Sequence, residues 1–110
     1  MNYKVLLTDE AINDIAGLVK YIDEELRNPK AAVKLFLDLK REVENCGIFP
    51  MKYSDTGIWY RDYIIHKKVF KTYLIFYIIN SDTQEVYVLR VLKDLMDWYQ
   101  ILQKTKKYHF

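Results

Sequence analysis

The chain has 110 residues, 51% of them hydrophobic, 15% aromatic and 29% charged. That is one domain-sized core, too short for a dinucleotide-binding domain with a substrate domain or for a (β/α)8 barrel. The net charge is +2, and only three Gly and two Pro exclude collagen-like and low-complexity chains.

Asn2–Leu7 reads as a first strand. Thr8 is a helix N-cap, followed by Asp9 and Glu10 in the first turn, where acidic residues complement the helix dipole. Ile12, Ile15, Leu18, Val19, Ile22 and Leu26 recur at helical spacing and form one apolar stripe. Asn28-Pro29 restarts a second helix, Asn as cap and Pro at the first position. This helix is expected to bury Ala32, Leu35, Phe36, Leu39, Val43 and Cys46 and to end at Gly47 in a left-handed conformation. The two helices make an antiparallel hairpin. Residues 48–57, with Pro50, Ser54, Asp55 and Gly57, read as loop.

Beyond the loop the period changes from helix to strand. Ile58–His66, Phe70–Ile79 and Glu85–Leu92 are predicted strands, the last two separated by the turn Asn80–Thr83. Alternation puts Lys71, Tyr73, Ile75 and Tyr77 on one face, expected to look outward, and Thr72, Leu74, Phe76 and Ile78 on the other. Leu95, Trp98, Tyr99, Ile101 and Leu102 return to helical spacing, and residues 103–110 form a basic, aromatic tail. The order β-α-α-β-β-β-α predicts a single α+β domain over 1–110, a helical hairpin packed on a mainly antiparallel four-stranded sheet.

Charge and aromatic residues are unevenly spread. Residues 1–46 carry 7 Lys/Arg against 9 Asp/Glu; residues 47–110 carry 10 against 6, together with 8 of the 10 tyrosines. A basic, aromatic half suits a nucleic-acid or ribosomal surface, or an acidic protein partner. The lone Cys46 excludes an internal disulfide framework and fits a reducing cytoplasm. The start lacks a signal-peptide pattern, and no apolar run is long enough for a membrane span. His66 and His109 stand in no metal-ligand spacing, and no phosphate-binding glycine loop or nucleophile elbow is present. No metal or cofactor is therefore expected. What remains is a set of cations and phenols: Arg61, His66, Lys67, Lys68, Lys71, Tyr73, Tyr77, Arg90 and Lys93. Such side chains can serve metal-free RNA cleavage, gripping phosphate and moving protons, and can equally be packing and ion-pairing groups.

Several stretches in order resemble the RelE/ParE toxins of type II toxin–antitoxin systems over about residues 1–102. They are Leu7-Thr8 with Ala11, Asp14-Ile15 and Tyr21-Ile22; Asn28–Ala32; Phe49-Pro50; Arg61; Tyr73–Tyr77; and Arg90-Val91-Leu92 with Asp97-Trp98. The family's ending often carries His and two Arg where this chain has Lys93, Leu95 and Met96. Leu74 and Asp94 stand where the ribosome-dependent nuclease RelE has catalytic Arg, and of Arg61 and Tyr63, near its paired lysines, only Arg61 keeps the charge. The resemblance implies a cytoplasmic toxin with a cognate antitoxin partner and no small-molecule cofactor. Its target would be mRNA on the ribosome, cut with Arg61, Arg90, Lys71, Lys93 and His66 as catalytic candidates and Tyr73, Tyr77, Lys67 and Lys68 as binding residues. The long helical hairpin is similar to ParE, which implies instead a non-catalytic poison of DNA gyrase; a degenerate, non-toxic antitoxin-binding module is the third implied possibility.

Overall fold

The computed structural model describes residues 2–110. One mixed sheet has the strand order β1-β5-β4-β3-β2. β2 (Asp55–Tyr60), β3 (Tyr63–Phe70), β4 (Tyr73–Asn80) and β5 (Glu85–Lys93) form an antiparallel meander, and β1 (Lys4–Leu7) lies parallel to β5 at the far edge. Helices α1 (Asp9–Lys20) and α2 (Pro29–Asn45) cover one face, and α3 (Trp98–Lys104) with the segment after it covers the other.

The α+β class and the helical hairpin are as the sequence predicts, but the sheet has five strands rather than four. The predicted strand Ile58–His66 is two strands that meet at a tight turn, Arg61-Asp62, and a second tight turn, Lys71-Thr72, separates β3 from β4. Of the usual turn residues the first turn has only Asp62 and the second has none. Arg61 and Lys71 adopt positive φ, 55° and 53°, a conformation costing a residue with a Cβ about 1–2 kcal/mol.

Thr8 and Asn28 cap as expected. The Thr8 hydroxyl accepts from Ala11 N–H at 3.0 Å and donates to the Leu89 carbonyl at 2.8 Å, so a fully buried cap also ties α1 to β5. Asn28 Oδ1 accepts from Ala31 N–H. α1 runs into a π-helical turn, Tyr21–Glu25, in which Leu26 N–H reaches the Tyr21 carbonyl five residues back. The extra residue rotates the stripe, and Leu26, expected in the core, is exposed. Gly47 serves close approach rather than a left-handed cap: a Cβ there would overlap the Tyr3 carbonyl oxygen, and Gly47 accepts from Tyr3 N–H.

The sheet is buried on both faces. Tyr73, Ile75, Tyr77, Val86, Val88 and Val91 pack under Leu35, Leu39 and Val43 of α2 and Ala11 of α1. Ile65, Leu74, Phe76, Ile78, Leu89 and Leu92 pack against Leu102, Tyr108 and Trp98. The face of β4 expected to look outward is thus the face under the helical hairpin. Alternation sorts residues into two sets, but when both sets are apolar and both faces are covered it does not say which set meets the larger layer. One extra residue in β5, between the Tyr77–Val88 and Phe76–Arg90 pairs, switches the phase, so that Val88 and Val91 both point to the hairpin.

Candidate functional site

The predicted cations are not gathered into one cluster. Arg61 sits at the β2–β3 turn and Lys71 at the β3–β4 turn, opposite ends of β3 and so roughly 25 Å apart at about 3.3 Å per residue. Lys93 pairs in register with Tyr73 at the Lys71 end, whereas His66 lies midway along β3. Arg61, Lys67, Lys71 and Lys93 each lie 4.8–5.6 Å from the centroid of an aromatic ring: Tyr60, Trp98, Phe70 and Tyr73 respectively. None of these four has a carboxylate within ion-pair distance among the described residues. Lys71 and Lys93 share one end of the sheet, Arg61 stands at the other end of β3, and each of the four charges rests on its own ring.

The remaining candidates are held inside. Arg90 makes a two-pronged ion pair with Asp14 of α1, Nε to Oδ2 at 2.6 Å and Nη2 to Oδ1 at 2.8 Å, and Oδ2 also accepts from Val91 N–H at 3.0 Å. The carboxylate thereby satisfies a backbone donor beside the β5 irregularity and pins α1 to the sheet. The Asp14 hydrogen bonds raise the Arg90 guanidinium pKa above its ordinary value, against the effect of burial. Lys68, only 4% exposed, donates to the Glu42 carbonyl at 2.9 Å and pairs with its carboxylate at 3.4 Å. Tyr77 is fully buried and donates to the Pro50 carbonyl; burial pushes its phenol up. Tyr73 is buried and likewise raised by desolvation. Both phenols therefore hold their protons at neutral pH and present no free face to a ligand. His66 stacks on Tyr77 at 5.4 Å, and its Nδ1 lies 2.8 Å from the Tyr53 carbonyl. A carbonyl only accepts, so Nδ1 carries the hydrogen of this contact. Burial raises the Cys46 thiol to about 12, which makes it a packing group.

An apolar groove on the helical hairpin is the feature the sequence reading missed. It has a volume of about 800 Å³ and runs between α1 and α2. Ile12, Ile15 and Val19 form one wall and Val33 and Phe36 the other, with Ala16 and Ala32 too small to close the space. Phe36, expected in the core, is 47% exposed at its edge, and Ile12 and Val33 are 52% and 59% exposed. The rim carries both charges, Lys20 and Asp23 on one side and Lys40 and Glu44 on the other. The signal was available: α2 has apolar residues at Val33, Phe36 and Leu37 outside the stripe Ala32-Leu35-Leu39-Val43. An exposed apolar surface of this kind, rimmed by polar residues, marks an interaction site. Among the described residues, no helix is long and apolar enough to cross a membrane, and no three His, Cys, Asp or Glu side chains are grouped to hold a metal.

These features define a small α+β domain: a helical hairpin over a mixed sheet, with an open apolar groove and dispersed cations. Its sequence matches the family described as ParE toxin of type II toxin–antitoxin system, parDE, over residues 5–98. The chain belongs to that family and is a type II toxin of the RelE/ParE superfamily. Solved structures agree on the fold. The chromosomal ParDE toxin–antitoxin system from P. aeruginosa superposes with a TM-score of 0.68 at 13% identity, covering 83% of this chain and 95% of that one. The toxin–antitoxin complex RelBE2 from Mycobacterium tuberculosis gives 0.57 at 18% identity, covering 84% and 92%. No curated protein matches the sequence significantly.

Proposed function

We propose that this chain is a ParE-like toxin that inhibits growth by binding DNA gyrase, without catalysis of its own, and that a cognate antitoxin neutralises it. The observation that carries the reading is the dispersal of the cations. Metal-free attack of a 2′-hydroxyl needs a base, an acid and positive charge around one phosphate, within hydrogen-bond reach of each other. Here Arg61 and Lys71 are at opposite ends of a strand, Arg90 and Lys68 are neutralised by carboxylates, and Tyr73 and Tyr77 are buried. The family match supports the same reading, as does the absence of cations at Leu74 and Asp94.

The groove between α1 and α2 suits an amphipathic antitoxin segment, whose apolar residues would seat on Ile12, Val33 and Phe36. Two solved structures of the same fold are toxin–antitoxin systems, which supports such a partner. The test in cells is expression of the chain alone, with plasmid topology and mRNA ends followed together. Growth arrest with relaxed plasmids and intact mRNA is the expected outcome. Arrest with new mRNA 5′ ends inside reading frames refutes the gyrase reading in favour of a RelE-like nuclease. Unimpaired growth refutes both in favour of a non-toxic antitoxin-binding module.

A further inference from the structure

The segment after α3 lies beyond the family match, which ends at residue 98, and plays no part in the reading above. It is extended and is seated in the molecule like a bound peptide. Tyr108 is 3% exposed, its ring edge-on to Tyr60 at 4.9 Å, and its N–H donates to the Tyr60 hydroxyl at 3.3 Å. The His109 carbonyl accepts from Asp9 N–H at 2.7 Å, at the first turn of α1. His109 N–H donates to Glu10 Oε1 at 2.8 Å, and its ring Nδ1 lies 2.6 Å from Oε2. Phe110 packs edge-on to Tyr87 at 4.8 Å, beside a cleft of about 250 Å³ lined by Tyr60, Arg61, Tyr63, Ile78 and Tyr87.

Three hydrogen bonds from the segment's own backbone, a ring plugged inside and a second ring on the surface are the elements by which a groove recognises an extended peptide. The fit is incomplete in one respect. The Tyr108 hydroxyl is buried with no hydrogen-bond partner among the described residues, and an unpaired buried hydroxyl opposes docking. The exposed His109 and Phe110 add contacts that water competes for. Ring burial favours the docked segment; the orphaned hydroxyl and the lost chain entropy oppose it.

We propose that residues 105–110 are a detachable strap over a peptide-recognition groove formed by Tyr60, Tyr87 and the Asp9-Glu10 turn. The groove takes in trans an extended partner segment of the strap's own chemistry: two aromatic side chains flanking a hydrogen-bonding residue. The strap and the partner segment compete, so loosening the strap raises partner affinity by the factor that the docked strap had withheld.

The probe is a fluorescent peptide with the sequence of Thr105–Phe110, amidated at its end, titrated with the full-length chain. Wild type binds it weakly, and Tyr108→Ala binds it at least tenfold tighter. His109→Ala, at an exposed position, also binds it tighter while leaving the interior intact, so the test survives if Tyr108→Ala fails to fold. A peptide in which the tyrosine is replaced by alanine does not bind. Equal affinity in wild type and His109→Ala, no binding to any variant, or binding that survives loss of the peptide tyrosine overturns the proposal. A wild-type dimer that Tyr108→Ala dissolves also overturns it, since the occupant is then the strap of a second copy.

Discussion

Asp14→Ala is the perturbation that most sharply separates a structural Arg90 from a catalytic one. The aspartate accepts three hydrogen bonds, two from the Arg90 guanidinium and one from Val91 N–H, and the two side chains are 12% and 20% exposed. Removing it leaves a guanidinium and a backbone amide short of partners. Breaking a buried ion pair from one side costs about 3–5 kcal/mol, and an unmatched buried amide costs about 1–3 kcal/mol. The pair is partly solvated, water can recover some of each loss, and the contributions overlap. The net expectation is a destabilisation of about 3 kcal/mol. For a domain of this size that lowers Tm by roughly 12 °C, at about 4 °C per kcal/mol. Asp14→Asn keeps an acceptor for Val91 N–H but loses the charge, so it should fall between wild type and Asp14→Ala. Urea unfolding monitored by Trp59 and Trp98 fluorescence measures both. Coupling is read from the double-mutant cycle with Arg90→Ala, and its expected value is above 1 kcal/mol. An Asp14→Ala variant within 0.5 kcal/mol of wild type would refute the assignment of Arg90 as a structural pin.

The remaining predictions follow from single contacts. Thr8→Val removes a buried hydroxyl that both caps α1 and bonds Leu89, and should cost about 2 kcal/mol in urea unfolding with little change of shape. The Cys46 thiol should resist a thiol reagent at pH 8 in the folded state and react fully in denaturant. Its unfolded pKa is near 9.0 and its folded pKa about 12, so its contribution to stability is whole below pH 9 and declines as pH rises between these values. Val33→Glu, at a largely exposed position on the groove wall, should change stability by less than about 0.5 kcal/mol. It should nevertheless weaken antitoxin capture at least tenfold in a co-purification titration, and undiminished capture would place the antitoxin elsewhere.

Sequence logic carried the fold class and the helical hairpin because their signals are local. Thr8 and Asn28-Pro29 are caps whose geometry depends on a few neighbouring residues, and the amphipathic stripes need only a period. The five-strand count was hidden because the turn that splits the predicted strand Ile58–His66 places Arg61 at positive φ with only Asp62 to announce it. The fate of Tyr73 and Tyr77 was hidden for another reason. Both faces of β4 are apolar, so which face meets the hairpin is decided by tertiary packing and not by alternation. The same limit applied to the cations: composition shows that they exist, whereas only the register shows that β3 holds Arg61 and Lys71 apart. Arg90 belongs with Asp14, 76 residues away, a pairing that no spacing rule reveals. The groove was more legible than it looked, since Val33 and Phe36 widen the α2 stripe beyond what one layer can cover.

The most direct test of the central claim pairs two assays on one purified preparation of the chain. Gyrase supercoiling of relaxed plasmid is titrated with toxin while a translation extract receiving the same doses is read by primer extension on its mRNA. The account predicts that supercoiling is blocked at toxin concentrations comparable to that of gyrase, with mRNA left uncut at every dose. Supercoiling that proceeds unimpaired while ribosome-dependent cuts accumulate would contradict it.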